Sequence, residues 1–415
     1  MKKTLQALFA LYLASAGACA LSAQELTWTD ALSQTKQVNP TLKKAAANLK
    51  QAQLNYDAAY TNFLPQLSAN ASANQSSSDS LGYSRQYSYG LQGSLSLFNG
   101  FADVAGVKGQ EANLRIAEAS YNRTLADTIY GLKSNFVNLL WAQETVKLLE
   151  DILAKRTQNY DLVKLQYDSG TQDKGSLMRV DADRVAAQYD LDKANRYLKL
   201  SALQLLRTIG RDDFIEITAT GTFDYDNGLL STNLSGLAVK TPEYVTAYYS
   251  LAKAKSDLQS AESGLYPSLD LNGSTSKTGP QWVPENSGWS LGLSLNYPFF
   301  PGGKNIYNVK IAKSGIESAE ENLLETKQQL EVSVNTSFNG FVDAVANLGV
   351  SQKALSASQE QSDIITTQYI NGLQSYFNWY SVENDYINAL KSVLNARQNA
   401  VLQEANFNKV IGVGE

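Results

Sequence analysis

The side chains that most often carry catalytic or metal chemistry are nearly absent from this chain. Its 415 residues include no histidine and a single cysteine, Cys19. Histidine is the usual general base, the commonest metal ligand and the usual charge switch near neutral pH. Zinc and iron–sulfur centres need several cysteine or histidine ligands. The composition excludes such centres, and we predict no catalytic, metal or cofactor site.

Two other residue groups could in principle do chemistry. Acidic pairs occur at Asp181 with Asp183 and at Glu320 with Glu321, but both lie in helical patterns, where a solvated face explains them. Gly302-Gly303-Lys304 follows a strand and opens a helix, yet it lacks the spacing of a phosphate-binding loop. We therefore predict that the protein is not an enzyme. A net charge of −5 gives no general attraction for nucleic acid, and none is expected as a partner.

The first 23 residues have the pattern of a secretory signal peptide. Lys2 and Lys3 precede an apolar run from Leu5 to Ala16, and small residues follow as far as Ala23. The segment before Cys19 faintly resembles a lipoprotein signal. The alternative is that Cys19 is removed with the signal peptide, and residue 16, which is not leucine, favours this second interpretation.

A long helical hairpin over residues 101–209 dominates the pattern. Apolar residues recur there at steps of three, four and seven, which keeps one helix face apolar. On the first arm they include Leu125, Ile129, Leu132, Phe136, Val146 and Tyr160. A helix from Asp103 to Tyr167 would be about 100 Å long, so the arm is expected to project as a coiled coil. The turn falls at Asp168–Gly175. Gly170 in this turn, and Gly372 in the corresponding turn at Asn371–Ser375, are predicted to have positive φ.

The same landmarks return at a nearly constant offset of 202 residues, which indicates an internal duplication. The matches include Asn39-Pro40 with Thr241-Pro242, Phe98-Asn99-Gly100 with Phe300-Pro301-Gly302, Phe136 with Phe338, and Tyr167–Gly170 with Tyr369–Gly372. We predict a first repeat over 24–225, with a helix over 30–60, strands over 66–98 and the hairpin 101–209. The second repeat, 226–415, should hold a helix at 241–266, strands over 268–298 and a hairpin at 303–408. Residues 211–240 are expected to be an irregular side structure.

Each repeat contains two segments in which apolar and small polar residues alternate. In the last of the four, Leu291, Leu293 and Leu295 interleave with Ser294 and Asn296. A half-buried sheet in a soluble protein would fit this pattern. A membrane β-barrel fits it as well, and the secretion signal, the aromatic strand ends and the small uncharged polar face favour the barrel. Four strands cannot close a barrel, and lipid forbids an open edge, so several chains must share it.

Taken together, the order and spacing of these motifs resemble those of the TolC-like outer-membrane efflux family over essentially all of the mature chain. The resemblance rests on the duplicated plan, Asn39-Pro40, Phe63-Leu64-Pro65, Leu97–Phe101 and the turn glycines Gly170 and Gly372. It implies an α+β membrane protein: a long antiparallel α-helical coiled-coil barrel, with four β-strands per chain contributing to a trimeric twelve-stranded outer-membrane β-barrel.

The resemblance also implies a periplasmic gate near the second hairpin turn. Asn378 and Ser381 fall where well-studied members carry two pore-constricting aspartates. Gln374 stands where they have an arginine, and Ser176 where they have its acidic partner. Tyr369 matches a family tyrosine in the same set of contacts that hold the gate closed, and it is called the lock tyrosine below. A cation-binding acidic ring is therefore not expected. Steric closure by Tyr376, Phe377, Trp379 or Tyr380 is one alternative, and helix packing is the other explanation of these aromatic residues.

By the same resemblance, the protein is the channel component of a tripartite efflux or type I secretion system in the outer membrane of a Gram-negative-type cell. Its helical tunnel would lie in the periplasm. Its partners would be two further copies of the chain, outer-membrane lipid, a periplasmic adaptor and an inner-membrane transporter. The adaptor would contact Gly170, Thr171, Gly372 and Leu373 at the hairpin turns. The competing interpretation is a secreted coiled-coil spacer or adhesin without a channel.

Overall fold

A computed structural model describes residues 24–78, 82–213 and 215–413; the predicted signal peptide and Cys19 lie outside these ranges. The first half contains strand β1, helices α1 and α2, strands β2 and β3, helices α3 and α4, and strand β4. Their bounds are, in order, Gln24–Thr27, Trp28–Val38, Pro40–Ala59, Gln66–Ser78, Gly82–Asn99, Ala102–Asp168, Lys174–Ile209 and Ile217–Thr220.

The second half contains helix α5, strands β5 and β6, and helices α6 and α7. Their bounds are Pro242–Ser263, Ser268–Gly279, Asn286–Asn296, Lys304–Ile370 and Tyr376–Val410. Helix α6 begins and ends 202 residues after α3, and both helices have 67 residues. Among the described residues, no helix has the length and apolar character needed to cross a membrane.

The single helix predicted over 30–60 is wrong, because the chain breaks at Asn39. A residue that precedes proline avoids helical backbone, and Asn39 has ψ 122° between α1 and α2. Its side chain compensates for the break: Oδ1 accepts hydrogen bonds from the backbone of Thr41 and Leu42, while Nδ2 donates to the carbonyl of Thr208 at 2.7 Å. Asn39 thus starts α2 and ties the break to α4. The first helix also begins earlier, with Thr27 as its cap.

The described residues divide into two compact units. One comprises the residues up to 42, 126–233 and those from 335 onward, and the other comprises 43–125 and 234–334. Each unit draws on both predicted repeats. In the first unit, the segment predicted to be irregular contains β4, which pairs in parallel with β1 from Gln24 opposite Ile217 to Thr27 opposite Thr220. This small sheet covers a core that includes Leu26, Leu132, Phe136, Leu205, Leu206 and Ile209.

The second unit holds a four-stranded antiparallel sheet in the order β2-β3-β5-β6. Its register places apolar residues together on one face, because directly paired residues point to the same side. Leu95 pairs with Leu271, which pairs with Leu293; Ser96 pairs with Asp270, which pairs with Ser294. One face is therefore rich in leucine and the other in small polar residues.

The hairpin turns are built by local hydrogen bonds and by two glycines. Gly170 and Gly372 have φ of 78° and 74°, so the predicted positive φ values are confirmed. Both turns close alike: the amide of Thr171 donates to the carbonyl of Gln166, and that of Leu373 donates to the carbonyl of Gln368. These contacts satisfy carbonyls at the helix ends that have no partner within the helix.

The two faces of β6 should respond differently to charge. We expect Leu293→Arg to cost about 2–4 kcal/mol of folding free energy, because it places arginine on the predicted lipid face. Ser294→Arg should fold, since its side chain would lie on the polar face opposite Asp270. The measurement is the folded yield of each variant in lipid vesicles. Equal yields for both variants would contradict the assignment of the faces.

Candidate functional site

Tyr369 lies at the end of α6 and is fixed by the neighbouring hairpin turn. Its side chain is only 5% exposed. The hydroxyl donates a hydrogen bond to Oε1 of Gln166 at 2.6 Å and accepts one from Nε2 of Gln172 at 3.3 Å. Burial raises the pKa of Tyr369, which keeps the hydroxyl protonated and able to donate. The predicted lock tyrosine thus joins the two turns through neutral partners.

Trp379 packs inside the protein and does not project from it. Its side chain is 1% exposed, and its indole stacks on the Tyr369 ring with centroids 4.5 Å apart. Nε1 donates to Oγ1 of Thr366 at 3.2 Å, which satisfies the buried indole. Val163 and Val180 complete the cluster from the first hairpin. Of the two explanations offered for Trp379, helix packing is the one that the contacts support.

The other aromatic residues of α7 differ in exposure. Phe377 is 78% exposed, whereas Tyr376 and Tyr380 stack on each other with centroids 5.7 Å apart. Burial, together with the nearby Tyr380 and Asp183, raises the pKa of Tyr376 to about 12. Nε of Arg179 donates to the Tyr380 hydroxyl at 3.0 Å, linking α4 to α7.

Two of the predicted gate residues, Gln374 just before α7 and Asn378 in its first turn, belong to a neutral amide chain. Nδ2 of Asn378 donates to Oε1 of Gln374 at 2.8 Å, and Nε2 of Gln374 donates to Oε1 of Gln368 at 3.0 Å. Ser381 is exposed one helical turn further along. Ser375 caps the helix by accepting a hydrogen bond from the amide of Asn378. This chain aligns Gln374 with Asn378.

Ser176 lies in the first turn of α4, at the position that corresponds to Asn378 in α7. Its amide and hydroxyl both donate to the carboxylate of Asp173, at 2.9 and 2.8 Å. The backbone hydrogen bond is the largest cause of the lowered pKa of Asp173. The resemblance paired Ser176 with Gln374, but their hydrogen bonds run to different partners. The carbonyl of Ser176 instead accepts a 3.5 Å contact from the hydroxyl of Tyr376.

A buried ion pair lies behind the aromatic cluster. Glu383 is 1% exposed, and its Oε2 atom is 3.1 Å from Nζ of Lys155 on α3. Its other oxygen, Oε1, accepts hydrogen bonds from the hydroxyls of Ser362 and of Thr366, the latter at 3.2 Å. Nζ of Lys155 also lies 4.5 Å from the centre of the Tyr386 ring. A buried carboxylate needs such partners because the interior does not solvate its charge.

These contacts connect the ion pair to the lock tyrosine. Lys155 contacts Glu383, which accepts from Thr366, which accepts from Trp379, which stacks on Tyr369. The next residue of α3, Arg156, donates to Oδ1 of Asn384. Its guanidinium also lies 3.8 Å from Oδ2 of Asp183 on α4. Neighbouring basic residues of α3 therefore bind neighbouring residues of α7.

Several members of this network were not singled out from the sequence. Gln166 and Gln172 are ordinary polar residues near a turn, and nothing in their spacing indicates a tyrosine partner. The burial of Glu383 was not predicted either. One signal was available, because glutamate on the same helix face as Trp379 and Tyr376 is unusual for a solvated position. Within the described ranges, no group of three or more acidic or cysteine side chains could hold a metal ion.

The ion pair should be asymmetric in its contribution to stability. Lys155→Met leaves a buried carboxylate without its cation and should cost about 3 kcal/mol or more. Glu383→Gln should cost less, because the amide oxygen still accepts from Ser362 and Thr366, and Lys155 is partly exposed. Calorimetric unfolding of the purified protein measures both effects. Lys147→Met is the matched control, since Lys147 belongs to an exposed pair with Glu144 and should change stability by less than about 1 kcal/mol. Equal effects of Lys155→Met and Lys147→Met would contradict this account.

The chain matches the outer membrane efflux protein family over residues 31–211 and 238–413. It is 25% identical to the outer membrane protein TolC of Escherichia coli strain K12, over 99% of this chain and 87% of that protein. The solved channel CmeC of Campylobacter jejuni superposes with a TM-score of 0.83 at 16% identity, covering 93% of this chain and 85% of that one. The open state of MtrE from Neisseria gonorrhoeae gives 0.79 at 20% identity, covering 96% and 94%.

These matches confirm the predicted fold of the chain, in which long coiled-coil helices combine with four β-strands. The family match also overturns the competing interpretation of a secreted spacer or adhesin without a channel, because it covers most of the chain. The chain belongs to the outer membrane efflux protein family and is an outer-membrane channel of an efflux system.

Proposed function

We propose that the channel wall closes where strand β2 of one copy pairs with strand β6 of the next, in a ring of three copies. The strands β2 and β6, of 13 and 11 residues, are the outer strands of the sheet, and each has an edge without a strand partner in the described chain. In lipid, such edges would leave backbone N–H and C=O groups unpaired at a high cost. Three copies would supply twelve strands and no free edge. This pair of open edges is the observation that carries the proposal.

An apolar stripe on α4 supports contact between copies along the helices. Large apolar side chains are exposed there at heptad-like spacing, at Met178, Val185, Tyr189, Leu200 and Leu203. On α6, Val350 and Ile364 are likewise exposed and lie two heptads apart. Exposed stripes of this length are unusual for a monomer and fit the side-by-side helices of a coiled-coil barrel.

The gate of this channel consists of the hairpin turns and the network that joins them. The Tyr369 hydrogen bonds and the Glu383–Lys155 pair hold α6 and α7 against the first hairpin, which favours a closed arrangement. Asn378 and Ser381 lie three residues apart and share one side of α7. In a ring of three, they would bring six neutral side chains to the constriction. Such a constriction gives little electrostatic preference between cations and anions.

The turns also provide the surface for a periplasmic adaptor and, through it, an inner-membrane transporter. Leu373 and Phe377 are 74% and 78% exposed at the second turn, next to Gly372. Thr171 is exposed at the first turn, beside Gly170. Exposed apolar side chains grouped at one end of a helix pair are typical of protein contacts. Substrates would pass from the periplasm or directly from the transporter to the outside, in efflux or type I secretion.

Single-channel recordings in planar bilayers test this function and the neutral gate. We expect the unmodified protein to conduct with little cation preference and weak block by trivalent cations added on the turn side. The Asn378→Asp, Ser381→Asp variant should become cation-selective and bind trivalent cations strongly, because six carboxylates would repel one another there. Absence of any conductance would contradict the channel function. Strong trivalent block of the unmodified protein would instead place an acidic ring at other residues.

The docking surface has a separate test. The Leu373→Ser, Phe377→Ser variant should lose dye efflux in cells that contain the native adaptor and transporter, while its conductance in bilayers stays unchanged. Ile311→Ser is the matched control, because Ile311 is similarly exposed on α6 outside the turns, and it should preserve efflux. Unchanged efflux in the double variant would exclude this patch as the adaptor contact.

A further inference from the structure

A second feature, outside the gate network, is an apolar cavity between three helices. It has a volume of about 380 Å³ and lies between α3, α4 and α7 in the first unit. Its apolar lining includes Trp141, Leu148, Leu149, Ala194, Tyr197 and Leu394. Small-molecule sites in proteins have volumes from about 300 to 1,000 Å³ and mostly apolar walls with a few polar groups. The cavity therefore has the size and lining of a ligand site.

The aromatic wall of the cavity is held rigidly. Nε1 of Trp141 donates to Oδ1 of Asn395 at 3.0 Å, which fixes the indole against α7. The Tyr197 ring meets the indole edge to face, with centroids 5.8 Å apart. Two aromatic rings at right angles form a preformed corner for a flat apolar group. Little side-chain ordering would then oppose binding of such a ligand.

One polar atom of the lining has no partner. Oγ1 of Thr145 is buried and forms no hydrogen bond within the described residues. Helical threonines usually donate to the carbonyl four residues earlier, as Thr157 does to Leu153 at 2.8 Å. A buried polar atom without a partner is rare and calls for a specific explanation. This oxygen is closed to the cavity as the side chain stands; rotation of Thr145 about χ1 would turn it to the cavity, where a polar atom of a bound molecule would supply the missing partner.

The charged residues of the lining give the cavity a net positive character. Lys193 and Lys391 both line it, together with a single acidic residue, Asp190. Nζ of Lys391 lies 4.0 Å from Oδ2 of Asp190, which is a long and partly exposed ion pair. Such a pair is weak, so the ammonium group can turn to another anion at low cost. Two cations against one carboxylate favour a ligand that carries one negative charge.

We propose that this cavity binds an amphipathic organic anion. The ligand would have a flat, apolar ring system seated against Trp141 and Tyr197, and a single sulfonate or carboxylate group near Lys391. Thr145 would hydrogen-bond a polar atom of its body. Because the three helices meet around the cavity, a bound ligand would also stabilise their packing.

Two probes that differ by a single sulfonate group test the proposal on the purified full-length protein in lipid nanodiscs. Anilinonaphthalene sulfonate carries the anion, and N-phenylnaphthylamine has the same rings without it. Fluorescence titration, with empty nanodiscs subtracted, should give saturable binding of the sulfonate. Lys391→Gln should weaken sulfonate binding by about tenfold and change binding of the neutral probe by less than about twofold, since only the first forms a charge-assisted hydrogen bond. Lys353→Gln, at an exposed lysine of α6, is the matched control and should change neither.

Two further variants locate the site. Ala194→Phe should fill the cavity and abolish the saturable component for both probes. Thr145→Val preserves the side-chain shape and should weaken binding by several-fold, which keeps the test valid if Ala194→Phe fails to fold. The sulfonate should raise Tm in the unmodified protein and not in Ala194→Phe. The proposal is overturned if saturable binding is absent, as when a neighbouring copy covers the cavity. It is also overturned if Thr145→Val and Lys391→Gln both bind the sulfonate like the unmodified protein.

Discussion

The requirement that every backbone polar group be paired in lipid governs this molecule. A sheet of four strands has two open edges, and the β2-β3-β5-β6 order leaves β2 and β6 outermost. Apolar side chains such as Leu271 and Leu293 make one face suitable for lipid, so the edges cannot be protected by water there. A single chain therefore cannot pair the backbone groups of both outer strands. The predicted internal duplication would then have a physical reason, because each predicted repeat supplies two strands and a helical hairpin.

The helical part meets a different constraint, which is to hold its two hairpin turns together in one register. An interior of leucines alone would pack firmly but would not specify one register. Here a buried ion pair, a hydroxyl, an indole and a phenol form a continuous series from Lys155 to Tyr369. Its members belong to α3, α6 and α7. Because each contact orients the next, loss of one of them should weaken the rest of the series.

The sequence predicted the large elements well and the side-chain partners poorly. Periodicity over tens of residues identified α3, α4, α6 and α7, because a long amphipathic pattern has few alternatives. Strand alternation likewise predicted the two faces of the sheet. The break at Asn39 was missed although Pro40 signals it, because helical patterns continue on both sides. The β1–β4 pairing joins residues nearly 200 positions apart, and no local pattern of four residues can specify such a partner.

The side-chain contacts of the candidate site were even harder to predict from the sequence. The resemblance directed attention to Tyr369, but the hydrogen bonds of Tyr369 go to Gln166 and Gln172, and these contacts depend on how two turns meet in space. The buried state of Glu383 also escaped prediction. Asn384 and Asp385, which follow it in sequence, are polar, and its burial depends on the approach of Lys155 from another helix. Local sequence specifies which face of a helix is buried, whereas pairwise contacts depend on the rotation and offset of neighbouring helices.

Disulfide trapping between the outer strands tests the account most directly. In a Cys19→Ser background, one cysteine would replace Ser72 in β2 and another would be moved along β6 from Gly288 to Leu293. Within one chain these strands are separated by two others, roughly 14 Å, which is too far for a disulfide. Joining of β2 to β6 between copies predicts oxidised dimers and trimers at one or two β6 positions, with no larger species, because the ring is closed. A monomer at every position, or a ladder extending past the trimer, would contradict it.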